Sequence, residues 1–512
     1  MHSQQHLPKQ AGRSTTDAQT RRLHGSFRVA MRTVSASIFR ALAATTACVL
    51  GTALLLAPSD AAASGYLTAR FGTDHGTPAS PNGFAVYFNP AALGGTTGTT
   101  ITGDLSVLLR WASYRRSVDA LSASDETTTQ DPAYRNANVG TAKLVNLLAL
   151  PYLAVNTDFG GSKYLRAGYA FYIPFGGMAN WDRRSEGASG TIDGVQRWHN
   201  ISGRILAVYN TLAFAVKLDE RFTIGANISG IIHDVSTVRA RNADGSDDTL
   251  SNGKLVEGRS LLEAQGFNLG AALGLYWEPT DTLKLGLSYT SQPGFGETKM
   301  TGTLTTQLAT TQPENKEVDF YQTYPDILRL GAAVKATARL ELRSDIELVR
   351  WSVFDKQCVV PKGESCNVAD DGRDLSGGKV ILNVPRRWNN AFGVRVGPGY
   401  QLTEELELFG SLGLTTPAVP KETIDASTID ATRLYGTLGA KLAVSPHLSL
   451  AASYNHIHFF TVETNGANDQ NIKAHPASEP GGGDYNASRS PSANGRYQSE
   501  IGFVNVNAAY TF

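Results

Sequence analysis

The chain has 512 residues, with 46 Lys+Arg set against 46 Asp+Glu for a formal net charge of zero. That balance argues against a generic nucleic-acid binder, which carries a basic excess, and a mean hydropathy of −0.19 is too polar for a bundle of membrane helices. Charged residues are only 18%, glycine is 51 of 512, and 19 Tyr and 20 Phe accompany them, a composition that points to an all-β chain.

In chain order, residues 1–30 are polar and basic, without apolar periodicity. Met31 opens a different pattern. Arg32 and Arg40 flank a short segment, an apolar run spans 41–57, and Ala61-Ala62-Ala63 supplies small residues before a cut. This is the layout of a secretory signal peptide. Cleavage is expected after Ala63, with Met31 as the expected start and 1–30 as an upstream extension. Cys48 is poorly placed for a lipid anchor, because Leu54-Leu55-Leu56 continue the apolar run beyond it. No later stretch reaches the ~18 consecutive apolar residues of a spanning helix. Cys358 and Cys366 are the cysteines left after cleavage, and in an oxidising compartment they could pair.

Residues 64–98 are Gly- and Pro-rich, uncharged except for Arg70 and Asp74, and fit no strand pattern. From about residue 99 the sequence alternates with period two. Phe222, Ile224, Ala226 and Ile228 alternate with Thr223, Gly225, Asn227 and Ser229. Leu340, Leu342, Ile346 and Leu348 alternate with Glu341, Arg343, Asp345 and Glu347. Four charges on one face cannot meet a dry core, since burying each one costs several kcal/mol. A watery lumen accommodates them, with the apolar face in lipid. At the end of the chain Gly502, Val504, Val506, Ala508, Tyr510 and Phe512 share one face.

Fourteen such strands are expected, near 99–114, 150–158, 164–173, 205–217, 222–234, 264–277, 283–290, 318–335, 340–352, 387–399, 406–415, 433–442, 448–459 and 501–512. Connections after even strands are tight, as at Asp219-Glu220 and Ser445-Pro446. Those after odd strands are long, near 115–149, 174–204, 235–263, 291–317, 353–386, 416–432 and 460–500. All long loops therefore share one end, as in an even-stranded transmembrane β-barrel of the bacterial outer membrane with short periplasmic turns. The expected fold is all-β, a 14-stranded antiparallel barrel over 99–512. Such a barrel is wider than its own side chains fill, so 64–98 is expected to form a hatch inside the lumen.

That hatch carries a motif. Ser64-Gly65-Tyr66 followed by Val86-Tyr87-Phe88-Asn89-Pro90-Ala91-Ala92-Leu93 resembles the long-chain fatty acid transporter family of outer membranes, the FadL/TodX family. Further matches are Tyr172-Ile173-Pro174-Phe175-Gly176-Gly177, Tyr324-Pro325-Asp326-Ile327-Leu328-Arg329-Leu330-Gly331, Val349-Arg350-Trp351-Ser352 and Thr416-Pro417-Ala418-Val419-Pro420. Each is weak alone; in order over 64–512 they are specific.

The resemblance implies a channel for long-chain fatty acids or other hydrophobic molecules, with no cofactor. It further implies a hatch motif at Asn89, Pro90 and Ala91 and a sideways exit through the wall at Ile173, Pro174, Gly176 and Gly177. Pro174 cannot donate to a ladder, and Gly176 and Gly177 leave no side chains to close the wall. The 460–500 loop and the cysteine-bearing loop 353–386 depart from the family pattern. By parity Arg329, Arg343 and Arg395 point into the lumen and are candidate partners for a carboxylate, although Glu341, Asp345 and Glu347 stand close enough to neutralise them. The partners expected are hydrophobic small molecules and outer-membrane lipid, with no nucleic acid, and the protein is expected to be a monomer.

Other chemistry is thin. His456 and His458 share a face, but no third metal ligand is apparent, and a girdle position is expected for them. Asn242 to Asp248 is Asp-rich without its Gly where a calcium loop needs one, so a solvated loop is expected. No Gly-x-Ser-x-Gly elbow or P-loop occurs, and His233 and Asp234, as strand neighbours, point to opposite faces; no enzymatic activity is expected. The competing readings are a general porin for small polar solutes, which needs no hatch, and an adhesive surface barrel working through its long loops.

Overall fold

A computed structural model describes residues 70–370, 372–471 and 487–512. The signal peptide expected over 1–63, the Ser64-Gly65-Tyr66 segment and the middle of the 460–500 loop lie outside the described residues.

Along β1 (Thr99–Arg116) the usual order of a soluble protein is reversed. Ile101 (49% exposed), Leu105 (41%) and Trp111 (41%) face outward, while Thr102, Asp104 and Ser106 are buried. Apolar residues outside and polar residues inside suit a wall between lipid and a polar lumen. The same inversion closes the chain, where Val504, Val506 and Tyr510 are exposed and Asn505 is buried.

The strands that follow are β2 (Gly140–Thr157), β3 (Leu165–Asn180), β4 (Ser202–Lys217), β5 (Phe222–Arg241), a short hairpin of β6 (Leu250–Ser251) and β7 (Lys254–Leu255), β8 (Gly258–Thr280), β9 (Leu283–Thr290) and β10 (Glu297–Gln307). Then come β11 (Glu314–Thr323), β12 (Ile327–Lys335), β13 (Leu340–Val349), β14 (Lys356–Pro361), β15 (Leu382–Pro385), β16 (Ala391–Gln401), β17 (Leu406–Thr415), β18 (Arg433–Ala443), β19 (Leu448–Glu463) and β20 (Gly495–Thr511). Fourteen of them form the circuit β1-β2-β3-β4-β5-β8-β9-β12-β13-β16-β17-β18-β19-β20. All neighbours are antiparallel, and β20 pairs with β1 from Thr100↔Thr511 to Arg116↔Gly495.

Several expected boundaries are corrected. The second strand begins at Gly140, not 150, and the third runs on to Asn180 rather than stopping at 173. Alternation fades there because Leu144, Leu148 and Leu150 face inward and are apolar too. The strand expected over 318–335 is broken between Thr323 and Ile327, around Pro325. The strand expected over 340–352 ends at Val349. The presumed loops 291–317 and 353–386 contain β10, β14 and β15, which with β11 extend the wall above β8. The Asn242–Asp248 stretch is not solvated. Asp247 is buried and paired with buried Arg116 at 2.6 Å, and it accepts hydrogen bonds from Tyr134 Oη and Ser122 N. His456 and His458 sit on the outer face, both against Glu500 of the neighbouring strand.

Residues 70–98 lie inside the barrel as short helical turns, at Thr73–His75, Ala85–Phe88 and Pro90–Gly95. The short connections, Thr99 and Phe512 are at the hatch end. The long connections gather at the other end, and Cys358 is bonded to Cys366 there.

Candidate functional site

The wall is shaped to receive the hatch. A Cβ on Gly274 would lie 1.9 Å from Asn89 Oδ1, one on Gly225 2.4 Å from Ala91 N, and one on Gly286 1.9 Å from Pro78 O. Only glycine allows this close approach of wall and plug. Asn89 is wholly buried. Its Nδ2 donates to Pro78 O at 2.8 Å within the hatch and to Leu275 O of β8 at 2.9 Å, while its Oδ1 accepts from Ala91 N at 3.1 Å. Pro90 follows it at the first position of the Pro90–Gly95 turn, where its fixed φ fits and its missing N–H is no loss.

The three lumen arginines also serve the hatch. Arg395 pairs with Asp345 at 2.8 Å and donates to the carbonyls of Thr73 and Gly76. Arg329 pairs with Glu347 at 2.7 Å, donates to Tyr87 Oη at 2.8 Å and lies over that ring. Arg343 joins Glu341 and Glu407, each at 2.7 Å, and Glu407 also faces His75 at 3.2 Å. All three are occupied by carboxylates, and none lines the cavity described next.

Above the hatch runs a layer of touching rings. Phe71 of the hatch meets Tyr152, Tyr152 stacks on Tyr172, Tyr172 on Tyr209, and Phe175 packs against Tyr324 and Trp351. On the loop side of this layer is a cavity open on one side. One flank is apolar, with Leu262, Leu304, Phe320 and Val359, and Leu148, Phe459 and Ile501 stand elsewhere on the wall. Its lining includes five arginines, Arg110, Arg204, Arg239, Arg386 and Arg433, and no carboxylate. Arg386 is held by Asp425 at 2.8 Å and Arg204 by Asp234 at 2.6 Å. Arg110 Nε donates to Ser499 Oγ at 3.3 Å and Arg433 Nε to Tyr435 Oη at 2.9 Å, and among the described residues neither forms an ion pair. The sequence reading did not single out these residues, although Arg110 shares the inward parity of Leu108 and Ala112 in the middle of β1 and Arg433 that of Tyr435 at the start of β18.

Several ionisable groups at the loop end depart far from their usual values. Burial pushes His199, which lines the cavity, down to about 3. Burial raises Asp430 to about 7 although Arg433 opposes it. Asp425 is held below the usual carboxylate range, because Arg386 and His199 outweigh its burial.

Gly176, Gly177, Met178 and Ala179 also line the cavity. Here the wall is incomplete between β2 and β3. Their ladder runs from Thr157↔Ala167 to Tyr152↔Tyr172 and stops, although both strands continue. On its other side β3 stays paired with β4, with a register shift between Tyr172 and Phe175 that takes up Ile173 and Pro174. The four residues expected at a wall gap thus stand along one edge of a slit beside the cavity.

A family described as outer membrane protein transport protein (OMPP1/FadL/TodX) matches residues 60–498. The chain belongs to this family. It is a family of transport channels of the outer membrane, not of enzymes. Among solved structures, a FadL homologue of Pseudomonas aeruginosa is 16% identical, with a TM-score of 0.68, over 88% of this chain and 100% of that one. The toluene transporter TbuX of Ralstonia pickettii is 14% identical, with a TM-score of 0.55, over 88% and 99%. The toluene transporter TodX of P. putida is 14% identical, with a TM-score of 0.57, over the same shares. At these identities the likeness shows the shared FadL-type fold. No curated protein matches the chain.

Proposed function

We propose that this chain carries acid-headed hydrophobic molecules, long-chain fatty acids foremost, from the outer loops into the cavity and out sideways through the slit between β2 and β3. The hatch closes the straight path. One observation carries the reading: a part-apolar cavity lined by five guanidiniums and no carboxylate reaches the edge of that slit. Apolar wall holds a chain at about 0.8 kcal/mol per buried methylene, and Arg110 and Arg433 supply charge-assisted donors for its head. These two replace Arg329, Arg343 and Arg395 as the candidate carboxylate partners. Leaving sideways into lipid spares the chain an aqueous crossing. The solved relatives described as toluene transporters make a monoaromatic hydrocarbon the second reading, but a neutral hydrocarbon has no use for the guanidiniums. A general porin for polar solutes is disfavoured by the packed hatch.

The test is Gly176→Arg, which places a long side chain at the slit; an added Cβ has ordinary room there, 3.4 Å from Ile173 and Leu206. Uptake of a radiolabelled long-chain acid should fall at least tenfold while binding to the purified protein stays within twofold. Undiminished uptake would show that the substrate leaves by another route.

A further inference from the structure

The slit has two ends, and they are built differently. At its lower end is the rung Tyr152↔Tyr172, next to Pro151 on one edge and two residues before Pro174 on the other. A proline offers no N–H to a ladder. Pairing therefore falters on both edges at the same height. In the register set by that rung, Asn146 of β2 stands opposite Met178 of β3.

At that height the two strands are joined by a side chain. Asn146 Nδ2 donates to Met178 O at 2.7 Å, and Asn180 N donates to Asn146 Oδ1 at 3.3 Å. Above it the backbones meet again through Leu144↔Trp181 and through Asp182 N donating to Lys143 O at 2.9 Å, one residue out of the lower register. Asn146 is 6% exposed and lines the cavity together with Gly177 and Met178. The slit edge from Tyr152 to Asn146 covers six residue steps, about 20 Å of strand.

We infer that Asn146 is the strap that sets the length of the exit slit, and is thus a specificity-determining residue for what leaves the cavity. A backbone rung opens only by moving a strand, whereas an amide leaves by rotating its own χ angles, a far faster motion. With the strap released, the slit extends to the Leu144↔Trp181 bridge and admits a wider molecule. The inference rests on the sideways exit proposed above.

The experiment compares Asn146→Leu, which keeps the branched shape and loses both bonds, with Asn146→Ala and Gly176→Arg. All are checked for a heat-modifiable barrel. Maximal uptake rate and half-saturation are measured for a straight-chain acid and for an acid of equal carbon number with a bulky polycyclic tail. The loss of a hydrogen bond changes an equilibrium about fivefold. The bulky acid should therefore enter about fivefold faster relative to the straight-chain acid in Asn146→Leu, the gain lying in maximal rate rather than in half-saturation, and Asn146→Ala should match it or exceed it. If Gly176→Arg blocks uptake but both Asn146 variants keep wild-type rates for the bulky acid, the exit stands and the strap is refuted. If Gly176→Arg imports normally, the sideways exit falls and the strap falls with it.

Discussion

Arg110 and Arg433 differ from the other lumen cations in what they touch. A guanidinium paired with a carboxylate, like Arg395 with Asp345, is already neutralised. Arg110 and Arg433 hydrogen-bond to hydroxyls instead, with the rings of Tyr435 and Phe459 beside Arg433 and Asp430 within electrostatic reach of both but bonded to neither. Arg110→Gln should weaken binding of a long-chain acid about tenfold or more, the value of a charge-assisted hydrogen bond, and leave binding of the corresponding hydrocarbon unchanged. Isothermal titration with the two ligands checks this; an equal loss for both would place Arg110 in packing rather than recognition.

His199 and Asp430 give a second prediction, because their shifts have opposite signs. The folded state depresses His199 to about 3. Its stabilisation is therefore full above the unfolded value of about 6.5 and is lost as pH falls toward 3. The folded state raises Asp430 to about 7. Its contribution is full at low pH and is lost as pH climbs through that value from the unfolded value of about 3.9. Between roughly pH 4 and 6.5 the two offset one another. His199→Phe leaves Asp430 alone, so the variant's Tm should rise on going from pH 7 to pH 5 while the native chain's stays nearly level. Circular dichroism melting in detergent measures both; a flat profile in the variant would contradict the assignment.

At the scale of elements, the hatch is held by contacts that require particular small residues opposite it. Gly274 leaves room for the Asn89 side chain that reaches the Leu275 carbonyl. Gly274→Ala puts a methyl where Oδ1 now sits, and Asn89→Ala removes the donor. Both should reduce fatty acid uptake severalfold while heat-modifiable barrel folding persists, since neither touches a ladder hydrogen bond. Normal uptake in both would make the Asn-Pro-Ala segment structural only.

What was legible in the sequence follows from which face each residue meets. Strands such as β13 were readable because one face meets lipid and the other meets charge, so Leu340 to Leu348 could not be mistaken. The inward aim of Arg329, Arg343 and Arg395 and the nearness of their acids came from the same parity. The upper half of β2 was not readable. Leu144, Leu148 and Leu150 face a part-apolar interior, and the two-residue period vanishes where both faces are apolar. Nor could one strand reveal the slit. Pro174 and Gly176 suggested it, but its second edge, with Pro151 and Asn146, is defined only by pairing between strands. The buried Asp247 was misread because a loop rich in Asp looks solvated until its arginine partner, 131 residues away, is known.

For the whole molecule, the hatch fills one half of the barrel and the cavity occupies the loop-side half, beside the interrupted ladder between β2 and β3. The family sets the class of cargo no more finely than hydrophobic compounds, and the guanidinium lining is the ground on which we propose acids. Photo-crosslinking of a long-chain acid with a diazirine at its tail tests the route most directly, in intact outer membranes during uptake and with peptide mapping of the adducts. The account predicts adducts on cavity residues such as Leu148 and Phe459 and on the slit edges around Ile173 and Gly177. Adducts confined to the hatch and the short-turn end of the lumen, with none on β2 or β3, would contradict it and send the substrate straight down past a displaced hatch.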